Sequence, residues 1–410
     1  MSYLERKKAF QSIMVLLMLI AGASSTIVAQ SLEEKISTKG SDYSSPAQTI
    51  DFTHSNIFGT NNEVVVGTIS AIAIDKNNRV LIKDSDAVTI HIFEPDGSYL
   101  KSIGREGRGP GEFSPNSTMT PILIDSDLLY VLDGSSNAAY RVSVFNLEDD
   151  SYQKTIQLMA YNRSEFEILK GYMPQKIIPV NSDTLIVAYY QMQKNPAMNK
   201  NMVYYVPQNY SGEIVSEPIL TQSDVRYLSY LVKGDETLFS AVHAFPFFQK
   251  PLFAVSNEGN IYLTRSDKFR IEVYNTSGDH LSTIQHPFQN KPLDIESLKE
   301  YYEETNYMSG YGEGVVVKML EQAEDLPDKW PSLRKMFFDD ENRLWVSTII
   351  DDTDYYGWWI MEASGKVISK FIWPRDKYIK AVRNGYLYTK EEDPETGESF
   401  VHRYKIEFGE

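Results

Sequence analysis

Asn78-Arg79-Val80-Leu81-Ile82-Lys83-Asp84 is the first of six copies of one short strand signature. The others are Leu128-Leu129-Tyr130-Val131-Leu132-Asp133, Asp183-Thr184-Leu185-Ile186-Val187-Ala188, Gly259-Asn260-Ile261-Tyr262-Leu263-Thr264, Asn342-Arg343-Leu344-Trp345-Val346-Ser347 and Asn384-Gly385-Tyr386-Leu387-Tyr388-Thr389. β-Branched and aromatic residues after a turn-forming start mark a strand. A further strand pattern precedes each copy, beginning at Ile69, Pro121, Lys176, Leu252, Leu333 and Tyr378. A third strand, a tight turn such as Pro95-Asp96-Gly97 or Ala363-Ser364-Gly365, and a fourth strand follow most copies. Four antiparallel strands every ~40–50 residues make a propeller blade.

The sequence therefore predicts an all-β fold, a six-bladed β-propeller. Its blades fall near 69–103, 119–158, 175–220, 252–284, 333–373 and 378–408. The sixth has three strands before the chain ends. An open edge would leave a ladder of backbone groups unpaired, so a segment nearer the N-terminus, Thr49–Phe52 or Val64–Gly67, is expected to complete it.

Residues 103–147 carry Ile-Gly-Arg-Glu-Gly-Arg-Gly-Pro-Gly-Glu-Phe, then an apolar strand, Leu-Tyr-Val-Leu-Asp, and Tyr-Arg-Val-Ser-Val-Phe-Asn. This order resembles the NHL repeat: a Gly-rich turn ending in Phe, a strand, a Val-x-Asp strand end and an Arg-containing strand. The first blade repeats it at Asp84 and Ile92-Phe93, and the fourth keeps Arg270-Ile271-Glu272-Val273-Tyr274. The Gly-rich stretch is also similar to six-bladed propellers common among exported bacterial proteins. The resemblance implies a fold and no particular activity.

Two stretches break the blade spacing. Residues 221–251 form an aromatic-rich connection. Residues 287–332 read as a small helical insertion between blades four and five. Asp294 is placed to cap a helix bearing Leu298, Tyr301 and Tyr302, and Val315–Ala323 suits a second helical piece that Pro327 and Pro331 terminate. Both pieces are expected to pack on the propeller through Leu298, Met319 and Leu320, and insertions of this kind gather on one, often binding, face.

Arg6, Lys7 and Lys8 precede an apolar run of ~11 residues, Ile13 to Ala23, and then Val28-Ala29-Gln30. Residues 1–30 thus read as a signal peptide and residues 31–410 as the propeller domain. That run is shorter than the ~20 residues needed to cross a bilayer, and no other stretch is long and apolar enough. The expected protein is exported to the periplasm or beyond and is not integral to a membrane. With no cysteine it cannot be a lipoprotein, a disulfide scaffold or a thiol enzyme. A formal net charge of −16 would repel phosphate backbones, which argues against nucleic acid.

No motif fixes a chemistry. The six histidines lack metal-ligand spacing, and no Gly-x-Ser-x-Gly elbow occurs. The residues singled out for binding are Arg105 and Arg108 in the Gly-rich loop, Tyr355, Tyr356 and Trp358 in the densest aromatic run, and Tyr301 and Tyr302 on the insert. The reading is a non-catalytic binding or scaffold module for a protein, peptide or carbohydrate, with no cofactor. The alternative is a hydrolase or lyase of lactonase type with Ca²⁺ in the central channel, for which Asp339, Asp340, Glu341 and Asn342 would be candidate ligands.

Overall fold

The computed structural model describes residues 35–36, 48–60, 63–114, 122–125, 127–134, 140–158, 166–181, 183–191, 201–233, 238–305 and 314–409. The expected signal peptide lies outside them.

Five sheets have four antiparallel strands in sequence order, running from Ile69–Ile74 to Tyr99–Ile103, Ile122–Asp125 to Ser151–Gln157, Tyr172–Pro179 to Leu220–Ser223, Pro251–Val255 to His280–Gln285, and Leu333–Phe338 to Val367–Pro374. The sixth blade joins Tyr378–Arg383, Tyr386–Glu392 and Ser399–Phe408 to Ile50–Phe58, which pairs Phe52 with Ile406 and Ile57 with His402. Of the two candidate segments, the one containing Thr49–Phe52 closes the ring. Phe52 is fully buried and packs 4.9 Å from both Phe371 and Trp373 of the fifth blade.

Six apolar clusters lie between successive blades, one at each seam. The cluster uniting Tyr130, Val142, Leu185 and Val187 joins blades two and three. Phe58, Ile82, Tyr388 and Val401 join blades six and one. Alternation within a strand serves two seams at once. Trp358 packs toward the sixth blade and Trp359 toward the fourth, so both are buried.

Sequence explains the tightest turns. In blades one and five the first hairpin reads Asp-x-x-Asn-Arg, with Asn78 and Asn342 at φ 62° and 61°, a left-handed conformation that Asn tolerates. The carboxylates of Asp75 and Asp339 accept from the backbone N–H and from Nε of Arg79 and Arg343. Asp339 also accepts from Trp345 Nε1 at 2.8 Å. In the Gly-rich crossing, Gly104 sits at φ 72° against the buried ring of Phe113. The guanidinium of Arg141 holds this loop through the carbonyls of Arg108 and Glu112 and the carboxylate of Asp133.

Both insertions are more structured than the sequence suggests. The 221–251 connection contains a β-hairpin, Leu228–Lys233 with Leu238–His243. Helices span Ile295–Glu304, with Asp294 as its cap, and Val315–Glu321. Met319 and Leu320 are buried as expected, but not against the blades. They join Leu228, Ala241, Phe245, Phe247, Phe248 and Tyr302 in a seventh cluster. The two insertions cover each other because neither short element can bury its apolar face alone.

Candidate functional site

The innermost strand of four blades carries a register shift at one equivalent point: between Ile69 and Ala71, Pro174 and Lys176, Leu333 and Lys335, and Ile379 and Ala381. Such a bulge leaves one residue unpaired and re-aims the side chains beside it. In blades five and six the re-aimed residues are Arg334, Lys335 and Lys380. They meet in a cavity of about 230 Å³.

Lys250, Arg375 and Lys377 complete a set of six cationic residues lining it. Among the described residues no carboxylate lines the cavity. Lys377 reaches Glu391 at 3.5 Å outside it, and Arg375 donates to the carbonyls of Tyr355 and Asp352. Lys335 Nζ donates to the Ile379 carbonyl at 2.6 Å. Burial pulls the Lys335 ammonium down to about 7, helped by Lys380 and Lys250. Burial, then Arg334 and Lys176, pulls Lys250 to about 7 as well. Lys380 is lowered by burial and by Lys390.

One transverse row of the fifth blade forms a wall. Lys335 pairs across the sheet with Ser347, and Ser347 with Trp358. Ser347 Oγ and Trp358 Nε1 are buried and have no hydrogen-bond partner. Buried polar groups are rarely left unsatisfied, so two unpartnered donors at a cationic cavity mark a place for acceptors. Tyr356 lines the cavity too, under the Arg375 guanidinium 4.6 Å from its ring centre.

The structure thus gathers two of the residues singled out from sequence, Tyr356 and Trp358, and leaves the others elsewhere. Tyr355 is half-buried at the strand end. Arg105 is exposed and paired with Glu112 at 2.8 Å, while the Arg108 carbonyl is held by Arg141. Tyr301 is exposed on the insert, and Tyr302 is buried against Phe245, with no face left for a ligand. The sequence reading missed the lysines. Their signal was Lys176, Lys335 and Lys380 inside strand patterns where an inner strand should be apolar.

Residues 47–229 match a family described as a 6-bladed beta-propeller, DUF5128. No curated protein matches the chain. Solved structures similar to it include a presumed exported protein of Bacteroides fragilis, at 12% identity over 87% of this chain and 95% of that one with a TM-score of 0.48. A member of the duf4221 family from Bacteroides vulgatus has 11% identity, coverage of 88% and 98%, and a TM-score of 0.48. A gluconolactonase from Xanthomonas campestris has 10% identity, coverage of 90% and 94%, and a TM-score of 0.43.

No helix among the described residues is long and apolar enough to cross a membrane. Among them, no three His, Asp or Glu side chains converge as a metal would require. The Asp339 carboxylate is taken up by its own hairpin and by Trp345, which does not suit a Ca²⁺ ligand.

Proposed function

We propose that this propeller works outside the cytoplasm as a binding module for a small anionic ligand, a carboxylate or phosphate compound, held between the inner strands of blades five and six. One observation carries the reading: six cationic residues line one cavity whose wall also includes Ser347 and Trp358, each with an unpartnered buried donor, and no carboxylate among the described residues. Crowded, desolvated ammonium groups disfavour their own charge, and an anion restores it. In a chain of net charge −16 such a cavity is a local reversal of sign. Its volume suits a compact anion better than a drug-sized molecule. The basic and then apolar N-terminus supports export. Asp133, which receives Arg141 in the second blade, supports the NHL-like reading of the repeat.

The lactonase alternative requires carboxylates around a cation. The inner strands that would supply them carry Lys176, Lys335 and Lys380 instead.

Titration with citrate, phosphate and sulfate, followed by Trp358 and Trp373 fluorescence, tests the proposal. Saturable binding is expected for at least one of them, weakened about tenfold or more in Lys335→Met and Ser347→Ala. Absence of saturation with all three anions, or equal affinity in both variants, would overturn it.

A further inference from the structure

A second cavity, of about 500 Å³, lies where the two insertions meet the third and fourth blades. Its roof is the segment Pro327–Pro331, which follows the second helix. Arg226 holds the chain just before that roof, donating to the carbonyls of Glu324 and Asp325. Its floor includes Asn201 and Arg265.

The chemistry of this cavity differs from that of the cationic pocket. Three aspartates, Asp224, Asp267 and Asp325, balance Arg226, Arg265 and Lys329, so the wall carries no net charge. Two buried polar atoms have no partner: Asn201 Oδ1, an acceptor on a residue only 6% exposed, and Arg265 Nε, a donor. Trp330 lines the roof, half-buried and edge-on to Phe247.

We infer that this cavity is a second, independent site for a neutral polyhydroxylated ligand, a mono- or disaccharide. A hydroxyl group both donates and accepts, so one ligand class satisfies Asn201 Oδ1 and Arg265 Nε together. A charged ligand finds no excess of opposite charge on this wall, and Arg226 is already engaged with backbone carbonyls. Aromatic side chains beside polar groups match the alternating apolar and hydroxyl faces of a sugar ring. The insertions are dispensable for ring closure, and this site gives them a task.

The full-length protein is titrated calorimetrically with glucose, N-acetylglucosamine and maltose, with glycylglycine and citrate as charged comparators. At least one sugar is expected to bind saturably. Asn201→Leu and Arg265→Met should each weaken it about tenfold or more, by stranding the surviving partner. Trp330→Ala, a change in the roof, should also weaken it and decides the matter if Asn201→Leu fails to fold by circular dichroism. Lys335→Met should leave sugar binding unchanged, which separates this site from the cationic pocket. No saturable binding of any sugar, preferential binding of glycylglycine, or unaltered affinity in the folded variants overturns the inference.

Discussion

Lys335 in the fifth blade donates a hydrogen bond of 2.6 Å to the carbonyl of Ile379 in the sixth. Lys390 repeats the gesture one seam on, reaching the Ile69 carbonyl of the first blade at 3.3 Å. Both contacts tie an inner strand to its neighbouring blade, and folding places the Lys335 ammonium in poor solvent. The unfolded chain keeps the ordinary lysine value, so between pH ~7 and ~10.4 it binds more protons than the folded chain. Folding stability should therefore rise with pH across that window on account of Lys335. Lys335→Met removes this slope. Urea unfolding at pH 6, 8 and 9.5 should show the variant gaining most, relative to the wild type, at pH 6, with the difference drifting toward the wild type as pH rises. A gap that moved the other way would contradict the assignment.

A bound anion stabilises the charged forms of Lys335 and Lys250. Its effect should be greatest where both lysines are already protonated in the folded protein, below pH ~7. The rise in melting temperature caused by a saturating anion should shrink from pH 6 to pH 9. A constant rise would place the anion elsewhere.

Asp339 is buried and is tied to Arg343 and Trp345. Asp339→Ala leaves the Trp345 indole N–H unpaired and strips the nearly buried Arg343 guanidinium of its buried partner, keeping only the exposed Glu341. A loss of about 3–5 kcal/mol is expected in urea unfolding. Glu341→Ala, whose carboxylate is largely exposed beside the same Arg343, should cost about 1 kcal/mol or less.

Gly104→Ala drives a Cβ into the Phe113 ring at a backbone φ of +72°. Both the clash and the left-handed conformation destabilise, by about 1–3 kcal/mol. Phe113→Leu in the same chain should recover the steric part only, read as a partial return of melting temperature.

Phe52→Ala opens a void between Phe371 and Trp373 at the closing seam, and about 3–5 kcal/mol should be lost. Val65, 88% exposed just beyond the closing strand, is a matched control expected to change stability little.

The ring was legible because each blade repeats one pattern of apolar alternation and turn residues. Errors at single strands could not change the count. The partner of Ser399–Phe408 was legible as a need, since three strands cannot stand alone at a seam. Choosing Ile50–Phe58 over the region of Val64 required the register. The hairpin at Leu228–His243 was not legible, because its apolar face meets the helices of a distant insertion and not a neighbouring blade. The cationic pocket was hidden for a related reason. Lys250, Lys335 and Lys380 are far apart in sequence, and a bulge turns the last two inward from strands whose average composition looks ordinary. Tyr356 and Trp358 could be noticed as aromatics, but not as the wall of a charged space.

The two strands that seal the ring lie at opposite ends of the described blades. Ile50–Phe58 is among the first of the described strands, and its partner, Ser399–Phe408, is the last of them. Wherever folding takes place, the early strand must keep a bare hydrogen-bonding edge until that last strand docks. An unsealed ring therefore offers two free edges, that of the early strand and that of the three-stranded sixth blade.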